Sequence, residues 1–408
     1  MAYRKQRVIL HCDLNNFYAS VACLDNPSIK NFPVAVAGSA ENRHGIILAK
    51  NYVAKQFEIK TGEPIHKAES KCPNIILVPP NFKRQAELSK KVQNIYLRYT
   101  DTVEPFGVDE CWLDMTAGIS FGDAERVANE IRETVKKEIG LTISVGVSFN
   151  KIFAKLGSDM KKPDAVTVIS RENFKDKVWP LPVSDLFGVG RSTAERLKSI
   201  GVFTIGDLAI ISKSALKRVF GKNGITICAF ANGEDNGEVL TFKSLPSPKS
   251  VGRSITAPRD ITTLDEAWRI FLYQSEEIAL QLKKYSQSAS AVQVHTRTYD
   301  LVVRDFEGSL ERPTDLSAVI ARRGIELLVE NGGITKPLRS LGIRAIRLDT
   351  EKQFQKGIFD DAEDIKKCQI TDEELFAIRA RFGYDSIFRA RLTDVDRPQT
   401  ISHFGTKR

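Results

Sequence analysis

The chain has 408 residues, too many for one ordinary core, so two to four domains are expected. Its composition, 42% hydrophobic and 27% charged, is that of a soluble globular protein, and no apolar run reaches the roughly 18 residues of a transmembrane helix. The net charge of +9 fits a solubility charge or a polyanionic partner such as nucleic acid.

Arg4, Lys5 and Arg7 precede an apolar stretch that Asp13 cuts short, so no signal peptide is read and a cytoplasmic location is expected. The six cysteines form no CxxC and no zinc spacing, and are expected to be reduced and buried. Cys12 and Cys111 adjoin acidic residues, but as strand neighbours they point to the opposite face.

RVILHCDL (7–14) reads as a strand ending at an acid, and NNFYASVACL starts a helix that Asn26-Pro27 ends. PVAVAG is a strand, GIILAKNYVAKQF a strand running into a helix, and NIILVPPN a strand stopped by Pro79-Pro80. Residues 82–100 have helical spacing. VEPFGVDECWLDMT reads as strand, sharp turn at Gly107-Val108, strand. Residues 123–139 form an amphipathic helix with Val127, Ile131 and Val135 on one stripe. LTISVGVSFN is a strand, NKIFAKLGSDMKKP a basic helix ended by Pro163, and AVTVI completes the sheet. Strands with helices on one side argue α+β. From Pro180 the texture changes: 184–236 are helical, TFKSLPSPKSVG is a linker, and 250–349 alternate strands (SAVQVHTRTY, LGIRAIRLD) with helices (264–284, 315–331) as a second α+β unit. The tail from 350 carries one helical segment, 371–382, and an extended end.

Three carboxylates stand at predicted strand ends: Asp13, then Asp109 and Glu110 after the Gly-Val turn. Two-metal phosphoryl transfer needs carboxylates from adjacent strands, close enough to bridge two Mg²⁺ ions. Solvated turn acids give the same spacing. Asp109 and Glu110 point apart on an extended strand, so both reach a metal only if the turn twists the backbone. Asp114 is read as structural.

CDLNNFYASV, AKNYVAKQFEIKTGEPI, GVDECWLDMT and SVGVSFNKIFAKLGSDMKKP, in this order and spacing, resemble the palm and fingers motifs of Y-family DNA polymerases. DLFGVGRSTAERLKSIGVFTIGDL is similar to that family's thumb, and KSVGRSITAPRDI to the opening of its little finger, so the resemblance covers roughly 7–349. It implies a multidomain α+β right-hand polymerase: palm 1–16 and 80–172, fingers 17–79, thumb 173–237, linker 238–249, little finger 250–349 and tail 350–408. The implied activity is low-fidelity translesion synthesis on primer-template DNA with dNTP substrates and two Mg²⁺ ions, by a protein expected to be monomeric. The nearest branch is bacterial DNA polymerase IV, whereas Lys55 and Ala49 resemble the polymerase V catalytic subunit.

Carried over by position, Asp13 and Asp109 hold both metals, Glu110 completes the primer-side site, and the Leu14 carbonyl serves the nucleotide side. Tyr18 stands at the steric gate, where a ring excludes a ribose 2′-hydroxyl. Tyr52, Lys55 and Lys162 match triphosphate contacts, and Ile46 and Leu48 the roof over the nascent base pair. Gly188-Val189-Gly190 before a helix resembles a helix-hairpin-helix whose amides bind phosphate. Arg253, Arg297, Arg344 and Arg347 are expected to face DNA from little-finger strands. Residues 398–404 resemble a sliding-clamp-binding peptide, with Ser402 off-pattern. A non-catalytic DNA-binding relative and a two-metal nuclease are the competing classes; the former would not need the metal set, and the latter would not explain Tyr18 or the triphosphate-facing cations.

Overall fold

A computed structural model describes residues 6–38, 45–241, 244, 246–350 and 362–392, and the clamp-peptide expectation at 398–404 lies outside the described residues. The chain divides into two compact units, the first within 1–38 and 46–245, the second comprising 39–45 and 246–408.

The first unit begins with β1 (Ile9–Leu14), α1 (Phe17–Asp25), β2 (Val34–Ala37), β3 (Ile47–Lys50) and α2 (Tyr52–Lys55). It continues through α3 (Ile65–Lys71), β4 (Ile76–Val78), α4 (Phe82–Tyr96), β5 (Val103–Phe106) and β6 (Glu110–Asp114). Then come α5 (Ala124–Ile139), β7 (Ile143–Ser148), α6 (Lys151–Met160), β8 (Val166–Ile169) and α7 (Phe174–Val178). Helices α8 (Arg191–Lys198), α9 (Ile205–Ile210) and α10 (Lys213–Ala231) close it.

Its main sheet has the order β5-β6-β1-β7-β8, parallel only between β7 and β8. All six residues of β1 are buried, as a central strand covered on both faces requires. The strand period of two sorts them. Leu10, Cys12 and Leu14 join Cys111 and Leu113 in a core with Leu88, Val92 and Ile95 of α4 and Val127, Ile131 and Val135 of α5. Ile9, His11 and Asp13 take the other face, where Ile9 and Trp112 pack on Ala154 of α6. Helices therefore cover both faces, where the sequence reading expected one, because NKIFAKLGSDM crosses behind the sheet. Gly146 explains how closely it crosses: a Cβ there would come within 1.9 Å of the Ala154 carbonyl oxygen. Only a glycine strand position admits this helix backbone.

Strands β3-β2-β4 form a smaller sheet around Ala35, Ile47, Ala54 and Ile65. Asn51 ties it together, accepting from the amides of Val34 and Ala54 and donating to the Phe32 carbonyl. Helices α7 to α10 share a core of Val178, Leu186, Leu197, Leu208 and Ile227 with Phe153 and Leu156 of α6.

The second unit comprises β9 (Val251–Ile261), α11 (Leu264–Lys284), β10 (Ser288–Thr298), β11 (Val303–Thr314), α12 (Ser317–Glu330), β12 (Leu338–Asp349) and α13 (Ala362–Phe382). Its antiparallel sheet runs β11-β10-β12-β9, with Val292, Val294, Leu341 and Ile343 packed on Phe271, Ile278 and Ile320 of the helices. Helix α13 starts well before the expected 371, and buried charges fasten it. Glu276, fully buried on α11, accepts from Arg379 and Arg389 at 2.8 Å each. Asp372 accepts from the Ser317 amide and hydroxyl and from Arg389.

Candidate active site

Strand register brings the carboxylates together. Asp13 on β1 is the direct cross-strand partner of Glu110 on β6, and the Leu14 amide donates to the Asp109 carbonyl at 3.0 Å. Asp109 stands in the turn between β5 and β6 rather than on a strand. Gly107 makes that turn possible with φ +83, and Asp109 Oδ1 folds back to within 3.7 Å of its Cβ position. The backbone is thus turned rather than extended at Asp109, immediately before Glu110 opens β6.

Burial and mutual repulsion tune these acids in different directions. Burial raises Asp109, and the nearby Asp13 and Glu110 carboxylates raise it further, to about 7. Burial also raises Asp13, against the pull of Lys162, whose ammonium lies 2.6 Å from Oδ2. Burial works against the Glu110 charge too, but the hydrogen bond from His11 and the charge and hydrogen bond of Lys155 outweigh it and hold Glu110 down at about 2. Burial holds His11 below its ordinary value. Lys162, also 2.8 Å from Asp159, is raised despite its own burial because Asp13 and Asp159 face it.

Among the described residues, no three His, Cys, Asp or Glu side chains converge as metal ligands do. Lys162 engages Asp13, while Lys155 and His11 engage Glu110. The donor set itself, three carboxylates beside a strand-end carbonyl, is all oxygen and suits a hard dication such as Mg²⁺.

Tyr18, on α1, packs edge-on against Phe82 with centroids 6.0 Å apart and is raised first by burial and then by Asp109. Tyr52, at the start of α2, responds to burial, Lys162 and Asp13 in that order, which puts its phenol near both. Lys55 is exposed, its ammonium 5.7 Å from the Tyr52 ring centroid. Ile46 is exposed and bridges to Pro64, while Leu48 alternates with the buried Ile47 and so takes the face away from the small core. Gly188 has φ +88 and Gly190 caps α8.

In the second unit, register places Arg344 opposite Gln293, and Arg297 two strand steps further along β10 from His295, on the sheet face away from the helices. One arginine departs from the expectation. Arg253 turns to the helical side, where its Nε lies 2.6 Å from Glu277 of α11, so it does not join Arg297 and Arg344. Arg347, at φ +53, makes an exposed ion pair with Glu307 of β11. Strand parity, which composition does not reveal, decides the place of Arg253.

Three site residues were missed: His11, Lys155 and Ser158. Lys155 and Ser158 stand at i and i+3 on α6, Lys162 follows two residues past its end, and His11 precedes Asp13 by one strand period. Those spacings were the available signal.

Residues 12–159 match the family model described as the impB/mucB/samB family, 248–358 that family's C-terminal domain, and 184–235 a model described as the DNA polymerase-iota thumb domain. A DNA polymerase IV of Acetivibrio thermocellus is 46% identical over 390 residues, covering 95% of this chain and 98% of that protein. A DNA polymerase IV of Desulfatibacillum aliphaticivorans is 35% identical over 393 residues, covering 96% of this chain and 98% of the relative. The solved Y-family DNA polymerase chimera Dbh-Dpo4(243-245)-Dbh shares the fold with a TM-score of 0.75 at 23% identity, over 84% of this chain and all (100%) of that one. A Dbh ternary complex aligns with a TM-score of 0.61 at 22% identity, over 83% and 98% of the two chains.

Proposed function

The chain belongs to the Y family of DNA polymerases, the impB/mucB/samB family, and so is a DNA-directed DNA polymerase; from that premise we propose that it carries out low-fidelity translesion synthesis in DNA repair and damage tolerance, by two-metal nucleotidyl transfer. The observation that supports the mechanism is the neighbourhood of Asp13, Asp109 and Glu110, with Asp13 paired to Glu110 across the strands and Asp109 raised to about 7 by burial first and by the other two carboxylates second. Such a cluster is stabilised by cations and by little else.

Asp13 and Asp109 would hold both Mg²⁺ ions, Glu110 would complete the primer-side site, and the Leu14 carbonyl the nucleotide side. Bound there, the ions would supply an activated 3′-hydroxyl and charge neutralisation on the pyrophosphate. Lys162 exchanges Asp13 for a phosphate oxygen as the nucleotide enters, Tyr52 donates its phenol to the same group, and Lys55 adds charge from the rim. The Tyr18 ring occupies the space of a 2′-hydroxyl and selects deoxynucleotides. Ile46 and Leu48 roof the base pair.

The unit carrying this cluster divides into palm 1–16 and 80–172, fingers 17–79 and thumb 173–237, with 238–249 as linker, 250–349 as little finger and 350–408 as tail. Gly188 and Gly190 offer backbone amides to a DNA phosphate, and Arg297 and Arg344 line the open sheet face toward the duplex. The protein works as a cytoplasmic monomer, and 398–404 recruits a sliding clamp. No helix among the described residues is long and apolar enough to cross a membrane. Primer extension with Mg²⁺ and single dNTPs on plain and damaged templates tests the reading. Insertion opposite the lesion, with frequent misinsertion on the plain template, is expected; arrest at every lesion would refute the translesion role.

A further inference from the structure

We propose that His11, locked by Ser158, is a positioning residue that fixes the Glu110 carboxylate for the primer-side metal ion; the inference rests on the two-metal reading above and assigns a role within it.

His11 is fully buried between β1 and α6. Its Nε2 lies 3.2 Å from Glu110 Oε2 and its Nδ1 lies 2.8 Å from Ser158 Oγ. The ring is also braced edge-on by Trp112, its cross-strand partner, with centroids 5.1 Å apart. A fully buried imidazole with a partner at each nitrogen and Trp112 against its ring is held in place, so it transmits the placement of α6 to Glu110.

The proton order follows from the partners. An ionised carboxylate only accepts, so Nε2 carries the hydrogen and donates to Glu110. Nδ1 faces the Ser158 hydroxyl oxygen. That hydroxyl donates to the Lys155 carbonyl at 2.7 Å, so the oxygen beside Nδ1 is itself tied to the α6 backbone.

The two Glu110 oxygens are thereby given different tasks. Both His11 and Lys155 engage Oε2, and among the described residues no hydrogen bond falls on Oε1. Oε2 is anchored to the protein and Oε1 is left to ligate. Hydrogen bonds of this kind, from the shell behind a ligand, typically carry about 10- to 100-fold in metal affinity. Gly146 is what brings Ser158 into place, since a Cβ there would also lie 2.5 Å from the Ser158 amide.

The test compares wild type with His11→Leu, His11→Gln, Ser158→Ala and Glu110→Gln. It measures Mn²⁺ affinity of the primer-template complex by electron paramagnetic resonance, and the Mg²⁺ half-saturation of single-nucleotide addition. His11→Leu is expected to weaken Mn²⁺ binding and raise the Mg²⁺ half-saturation by about 10-fold or more. His11→Gln, whose amide still donates, restores most of the loss, and Ser158→Ala falls between. Ser158→Ala removes a single hydroxyl and decides the matter if His11→Leu does not fold. Wild-type Mn²⁺ affinity in both His11→Leu and Ser158→Ala, or a rate loss independent of Mg²⁺ concentration, would overturn the role of His11. Wild-type Mn²⁺ affinity in Glu110→Gln would instead overturn the metal reading beneath it.

Discussion

Gly146 and Ala154 touch backbone to backbone: the ideal Cβ position of Gly146 on β7 lies 1.9 Å from the Ala154 carbonyl oxygen on α6. This contact sets α6 against the sheet and fixes where Lys155, Ser158 and Lys162 meet the carboxylates. Gly146→Ala is therefore expected to lower stability by about 1–3 kcal/mol or more, since backbone, not a flexible side chain, must move. In whatever fraction folds, dNTP KM should rise as Lys162 is displaced. An unaltered unfolding midpoint in urea would show that the helix is not seated by this contact.

Lys162 bridges Asp13 and Asp159 and stands near Tyr52. A cation that meets the triphosphate contributes a charge-assisted hydrogen bond of about 1.5–3 kcal/mol, or roughly 10- to 100-fold. Lys162→Ala should raise dNTP KM by that factor, and Lys162→Arg should restore part of it. Steady-state kinetics with one dNTP reads this out; an unchanged KM would remove Lys162 from the nucleotide site.

Asp109 makes the metal-free protein sensitive to pH. Its folded value of about 7 lies above the ordinary carboxylate range, so the folded chain holds a proton that the unfolded chain releases. Below about pH 4 both states are protonated and nothing is lost. Between there and about 7, stability falls as pH rises, and it stays lost above. Asp109→Asn should therefore unfold at higher temperature than wild type in EDTA, with a larger gap at pH 8 than at pH 5. Mg²⁺ should narrow the gap by stabilising wild type. A gap that does not change with pH contradicts the assignment.

Glu276 is buried beneath Arg379 and Arg389. Deleting 351–408 strips both arginines away and leaves a buried carboxylate alone, at a cost on the order of 3–5 kcal/mol. Deleting 393–408 keeps the cluster whole. Urea unfolding should separate the two truncations clearly, and equal midpoints would show that α13 adds nothing to the second unit.

Much of the site was legible because its residues obey local rules. Asp13 ends an apolar strand, Gly107 announces a turn, and Asp109 and Glu110 follow it at once. What stayed hidden depends on distant packing. His11 looked like one more strand residue until α6 was seen to bring Ser158 behind it. Arg253 and Arg344 read alike in sequence, yet register sends one to the helices and the other to the open face. The strand Val303–Thr314 was not read at all, because every second residue is only half-buried and its charges mask the alternation. The start of α13 was misplaced for a related reason: ion pairs rather than an apolar stripe hold it.

The central claim is that Asp13 and Asp109 form the metal bridge for nucleotidyl transfer. Its most direct test is single-turnover addition of one correct dNTP to a primer-template by wild type, Asp13→Asn and Asp109→Asn, in saturating Mg²⁺. Losing a transition-state charge contact of this kind is expected to slow the step by roughly 10³-fold or more in each variant while both still bind DNA. Extension by Asp109→Asn at the wild-type rate would contradict it.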